Sequence, residues 1–389
     1  MMKRFRNWFT RKNVIWLFSM FIFTIICLEI FGRIYLVKVL HKSTDQKFRF
    51  NSYHIYEHVP GFKEGENDKN WIEINNQGFR RTEETTRSKP KNTYRIFLMG
   101  ASAAHGISTS QPYPLVHIYP DQTIDYYLEQ MLEKKYKNVN FEVINAAVTG
   151  YKTNQHTTAI LSELLDYHPD MMIFFDGAND HYVSNPAYNL YRDNEYQFWK
   201  ERLQHPSVGG GLTYMMLWLS KGSAFARGYM SWKMSKDANE SGDKLTSPRL
   251  EAKNKLKISN HKIAAKKSFL RSIETNISIL KNNNIACLIT LQPMLVLRDK
   301  KLLSKQEKSW LHQDENVQLL YPIVVDELKE LTVKHGVGFF DFNPAFNEQK
   351  DQSKQLFVDY CHLSPAGGKK VAESVFAQVE EMYLSSIKK

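Results

Sequence analysis

Residues 95–106 read RIFLMGASAAHG. An apolar run, Ile96 to Met99, stops at Gly100-Ala101-Ser102 and gives way to small residues and a second glycine. A short apolar run bounded by glycine is the pattern of a strand buried on both faces. The serine just beyond it has two readings, a turn residue or a nucleophile, and the stretch by itself favours the turn.

Four further runs have the same character: FEVIN (141–145), MMIFF (171–175), IACLITL (285–291) and GVGFFDF (336–342). Between or after them lie amphipathic stretches, among them 121–136, 153–168, a segment around 266–280, 315–335 and 364–384. Near-continuous apolar strands alternating with helices predict an α/β domain with a parallel sheet of about five strands covered on both faces, a three-layer α/β/α arrangement. In such sheets the working residues sit in loops at the carboxyl ends of the strands. Those ends carry Ser102, then Gly150 in NAAVTGYKTNQ, then Asn179 in DGAND, and after the fifth strand Asp359 and His362 in FVDYCHLSPAGG. Ser364 reads as a helix cap with Pro365 at the first helical position.

Acyl transfer to a serine needs a nucleophile, a base, a group that orients the base, and donors aimed at the developing oxyanion. Ser102, His362 and Asp359 match the first three roles, and the backbone N–H groups of Ser102 and Gly150 with the Asn179 amide match the fourth. Each residue alone has an ordinary structural reading as a turn, a cap or a surface pair. Together, in this order and at these strand ends, they resemble the SGNH hydrolase superfamily of GDSL esterases and lipases: Ser102 in GAS, Gly150 in TGYKT, Asn179 in GAND and His362 in DYCH, with Asp359 as the preceding aspartate. The lead-in INNQGFR and the N-terminal apolar segment resemble a membrane-anchored bacterial branch. The resemblance implies a flavodoxin-like fold, a Ser102, Asp359, His362 triad, an oxyanion hole of Ser102, Gly150 and Asn179, and no cofactor. The first block departs from the name-giving motif at Ala101 and Ala103, positions given no chemistry.

Residues 13–28 carry no charge, and the apolar character continues past Glu29. About 20 helical residues cross a hydrocarbon core of about 30 Å, so one transmembrane helix over 13–35 is expected. Basic residues crowd the tail 1–12, which puts the N-terminus in the cytoplasm and the remainder outside the inner membrane. No small-residue cleavage site follows, so an uncleaved signal anchor is the reading. Glu29 and Arg33 stand at i,i+4 spacing, as in an interfacial ion pair.

Residues 36–92 read as a stalk and extended lead-in in which Asn76 or Gly78 supplies a left-handed turn. The hydrolase-like domain spans 93–389, with an insertion at about 181–260 that reads either as a lid or as packed helices remote from substrate.

The chain has 389 residues, 42% hydrophobic and 24% charged, with a formal charge of +11. These are ordinary globular values, and much of the basic excess is local, at the N-terminus and on an acid-free stretch from Ala252 to Ile273. Such a stretch is a solvated helix face or a contact for anionic headgroups or glycan, and without a recognition motif it does not point to nucleic acid. Three cysteines, Cys27, Cys287 and Cys361, indicate no disulfide framework. Cys361 beside His362 is an alternative thiol nucleophile without an evident base of its own. His105, His117, His156 and His181 lack metal-ligand spacing, so no metal is expected. The expected protein is a membrane-tethered serine esterase that removes acyl groups, O-acetyl first among them, from an envelope glycan or lipid. An O-acyltransferase with the same triad and a sugar hydroxyl as acceptor is the alternative, and a non-catalytic glycan-binding envelope protein a third.

Overall fold

The structure, a computed structural model, describes residues 11–35, 47–51, 53–66, 69–107, 118–182, 260–311, 315–351 and 353–388, with parts of 216–232. His117 and most of the 181–260 insertion lie outside the described residues. Chain contacts divide the protein into two compact units, Met1–Gln46 with Gln197–Leu256, and Lys47–Tyr196 with Lys257–Lys389.

In the larger unit, five strands form one parallel sheet: β5 (Thr93–Gly100), β6 (Asn140–Asn145), β7 (Met171–Asp176), β8 (Ala286–Leu291) and β9 (Gly338–Asp341). Their order is β6-β5-β7-β8-β9, so the first strand of the sheet lies between the second and third. That order reverses direction between β5 and β7, where a doubly wound sheet opens a crevice for ligand. β5 and β7 are buried along nearly their whole length, because helices cover both faces. Side-chain alternation divides the core accordingly. Tyr94, Ile96 and Leu98 pack with helices Ile124–Lys135 and Pro365–Ser386, while Phe97 and Met99 pack with Thr153–Ser162, Asn260–Asn282 and Glu315–His335.

The strands and long helices fall where the hydrophobic pattern puts them. Ser364 caps the last helix, its hydroxyl accepting from Gly367 N at 3.1 Å.

From Lys47 onward the lead-in belongs to the same unit as the sheet. It forms two antiparallel hairpins, β1 (Phe48–Asn51) with β2 (Ile55–His58) and β3 (Lys63–Glu66) with β4 (Lys69–Glu73). Of the two candidates for the left-handed position, Gly78 takes it (φ 90°). The Asn75 side chain supports that turn by accepting from the N–H groups of Gln77 and Phe79. Arg80 then pairs backbone to backbone with Asn145 at the end of β6.

In the smaller unit, helix Arg11–Ile34 is 24 residues, long and apolar enough to cross a membrane, and its Val14–Phe31 side chains are largely exposed. Glu29 pairs with Arg33 at 3.3 Å and also accepts from Ser223 Oγ and the N–H groups of Ala224 and Phe225. Gly32 allows close contact with that segment, since a Cβ there would lie 2.2 Å from Phe225 Cα.

Gly100 marks the transition from sheet to site. A Cβ there would stand 2.5 Å from Ala104 Cβ and 2.9 Å from the Phe175 carbonyl oxygen. Gly100→Ala is therefore expected to lower stability by about 1–3 kcal/mol through overpacking, measured by urea unfolding.

Candidate active site

β5 ends at Gly100, and Ser102–His105 forms a single helical turn closed by Gly106 in the left-handed region (φ 76°). This lifts Ser102 off the carboxyl edge of the sheet, half-buried, while Ala103, Ala104 and His105 face inward. The turn reading of GAS holds, and the turn leaves the Ser102 hydroxyl at the sheet edge.

Ser102 Oγ lies 2.7 Å from His362 Nε2, and His362 Nδ1 lies 2.5 Å from Asp359 Oδ2. The other Asp359 oxygen accepts from the N–H groups of Cys361 and His362 at 2.8 and 2.7 Å. A carboxylate held by its own loop fixes the histidine ring and, by accepting from Nδ1–H, leaves Nε2 as the basic nitrogen toward the serine. The loop closes on itself where Val358 N donates to His362 O. Gln292, just beyond β8, donates to Cys361 O, and Glu307 accepts from Leu356 N and Phe357 N while pairing with buried Arg298.

Gly150 and Asn179 occupy the neighbouring loops. Tyr151 N donates to Val148 O, closing a turn whose third residue is Gly150 at φ 86°. A turn with positive φ at that position selects glycine, and a Cβ there would also lie 2.7 Å from Tyr56 Oη. Asn179 Nδ2 donates to Tyr151 O at 3.0 Å, which fixes the amide orientation. Asp180, to which the sequence reading gives no role, accepts from both the N–H and the hydroxyl of Thr153 at 3.0 Å. The two loops are thereby tied together. Burial, reinforced by the Asp176 charge, pushes Asp180 up to about 6. Asp176 itself meets His156 Nε2 at 3.0 Å beneath the site, both side chains buried.

Electrostatics separates Asp359 from His362. Burial opposes ionisation of Asp359, but hydrogen bonds from His362 and from two backbone N–H groups prevail and bring it to about 2. Burial likewise opposes the imidazolium of His362, and the Cys361 sulfur with the Asp359 carboxylate overrides it, raising His362 to about 10. Cys361 Sγ is 3.7 Å from Nδ1, whereas the serine hydroxyl stands on Nε2. Nε2 thus faces the Ser102 hydroxyl, while Nδ1 faces the Asp359 carboxylate with the sulfur beside it. Asp359, Cys361 and His362 also bring metal-ligand atom types within 4.8 Å of one another, but Nδ1 and the carboxylate face each other as hydrogen-bond partners.

No family model matches the sequence, and no curated protein matches it. Solved structures with similar folds include the acetyl xylan esterase AlAXEase at 13% identity, covering 73% of this chain and 99% of that one, with a TM-score of 0.40. A GDSL-like lipase from Parabacteroides merdae aligns at 10% identity over 74% and 96% of the two chains (TM-score 0.42). The acetylxylan esterase Axe2 from Geobacillus stearothermophilus aligns at 13% over 74% and 94% (TM-score 0.42). At these scores and identities the likeness carries no chemistry over to this chain.

A base must be neutral to accept a proton, so if His362 serves Ser102 as base, reaction at Ser102 is expected to rise with pH along a limb alkaline of the ordinary value of 6.5. Cys361→Ala removes one of the groups that raise the imidazole and should move the limb toward neutral, read from the pH dependence of fluorophosphonate labelling. An unmoved limb excludes a role for the sulfur.

Proposed function

We propose that this protein is a membrane-tethered serine esterase of the SGNH type, with Ser102 as nucleophile, His362 as general base and acid, and Asp359 as the group that orients the histidine. The observation that carries the reading is the continuous relay from Ser102 Oγ through His362 to Asp359, at 2.7 and 2.5 Å. Ser102 Oγ attacks the ester carbonyl carbon as Nε2 takes its proton. The carbonyl oxygen becomes an oxyanion facing the N–H groups of Ser102 and Gly150 and the Asn179 amide.

Collapse expels the alcohol, which receives the proton from His362, and leaves an acyl group on Ser102. Water then attacks the acyl-enzyme with His362 again as base, releasing the acid and restoring the serine. An acetylated envelope glycan or lipid is the substrate class that the motif resemblance and the apolar N-terminal helix support. That helix serves as the anchor in the inner membrane with the catalytic unit outside, a reading supported by the basic residues preceding it.

Ser102→Ala is expected to abolish fluorophosphonate labelling and to reduce acetate release from an aryl acetate by about 10³-fold or more, while thermal melting stays cooperative. Retention of full activity by this variant overturns the mechanism. Mass spectrometry of an acetylated glycan separates hydrolysis from transfer, because the first releases acetate and the second moves acetyl to another sugar.

A further inference from the structure

The helical turn that begins with Ser102 ends with His105, a fully buried residue that the proposed chemistry does not use. His105 Nδ1 lies 3.2 Å from Arg80 Nη1, and its Nε2 lies 3.1 Å from Nε2 of His58. A guanidinium only donates, so Nδ1 of His105 accepts and its Nε2 carries the hydrogen. His58 then accepts at Nε2, which leaves the hydrogen on its Nδ1. The chain of donors leaves the lead-in at Arg80, passes through the His105 imidazole and returns to the lead-in at His58.

Arg80 holds further elements in place. Its Nη2 donates to the carbonyls of Trp71 and Ile118 at 2.9 and 2.7 Å, and its backbone N–H to Asn145 O at 3.0 Å. Asn145 in turn donates to Ala104 O, the residue before His105, and to Asp125. The inner side of the Ser102 turn is therefore gripped at two consecutive residues from the lead-in and from the end of β6. Burying a guanidinium at 2% exposure against carbonyls and an imidazole is a costly arrangement, and it is spent on a turn of four residues.

We propose that Arg80 and His105, seconded by His58, are positioning residues for the nucleophile: they fix the direction in which the turn presents Ser102 to His362, so the N-terminal lead-in is a working part of the active site. The proposal rests on the reading of Ser102 as the nucleophile. A displacement of about 1 Å of a reacting group costs up to about 10²-fold in rate, and the expected losses follow that scale.

The test uses the full-length chain in detergent, with kcat and KM on an aryl acetate, fluorophosphonate labelling, and thermal melting as a control of folding. His105→Ala and Arg80→Gln are expected to lower kcat by about 10-fold to 10²-fold with KM changed less than about twofold. Arg80→Lys keeps the charge but not the fork and stays impaired. His105→Asn places an acceptor where Nδ1 stood and recovers part of the rate. A merely structural role lowers the melting temperature and leaves the kcat of folded protein unchanged, so native kcat in folded His105→Ala, or in Arg80→Lys, overturns the proposal. Should those variants fail to fold, His58→Gln, which touches the Ser102 turn only through the His105 ring, is expected to lower kcat by about threefold, and an unchanged value overturns it. Labelling of Ser102→Ala at the wild-type rate brings down the nucleophile reading and the positioning proposal together. Serine-dependent labelling with unchanged kcat in the His105 and Arg80 variants brings down the positioning alone.

Discussion

The hydrogen bond between Ser102 Oγ and His362 Nε2 joins residues 260 positions apart across 2.7 Å, and much of the larger unit is arranged so that these two atoms meet. The parallel sheet brings the ends of β5 and β7 together at the point where strand order reverses, and the chain after β9 returns to the same edge. Neither side chain could hold its position on a loose loop, because a displacement of about 1 Å takes the pair out of hydrogen-bond reach. Gly100 makes the sharp exit from β5 possible, and Gln292, Glu307 and Arg298 strap the histidine loop from behind.

Burial of this pair has an electrostatic consequence. With Asp359 fully buried, its charge persists because three hydrogen bonds converge on it, and that charge then stabilises a positive His362. The Cys361 sulfur acts in the same sense from the neighbouring position. Asp359 and His362 are thus tuned by their own loop as much as by the sheet that carries it.

The N-terminal lead-in stands in a closer relation to this site than its polar composition suggests. Tyr56 donates to Thr149 O and accepts at its carbonyl from the Tyr151 hydroxyl, so β2 clasps the turn that holds Gly150. His58 and Arg80 reach the turn that holds Ser102. Two of the loops with candidate roles are therefore braced by a segment that precedes the first strand of the sheet. In the smaller unit, Glu29 is likewise satisfied by residues far along the chain, Ser223 to Phe225, as an acidic group on an apolar helix requires.

Sequence alone determined the five strands, the covering helices and the cap at Ser364, and it singled out Ser102, Gly150, Asn179, Asp359 and His362 as candidates, because apolar runs and short local motifs express themselves within a few consecutive positions. It also showed the apolar span at the N-terminus, whose signal is again local. Only tertiary structure decided that Asp180 ties the Gly150 and Asn179 loops together, that Gly100 is required by Ala104 and the Phe175 carbonyl, and that His105 is gripped by Arg80 and His58. Those partners lie 25 and 47 residues from His105 and follow no period of helix or strand. Hydrogen bonds between buried polar groups depend on where the folded backbone brings single atoms, and no pattern of neighbouring residue types encodes that.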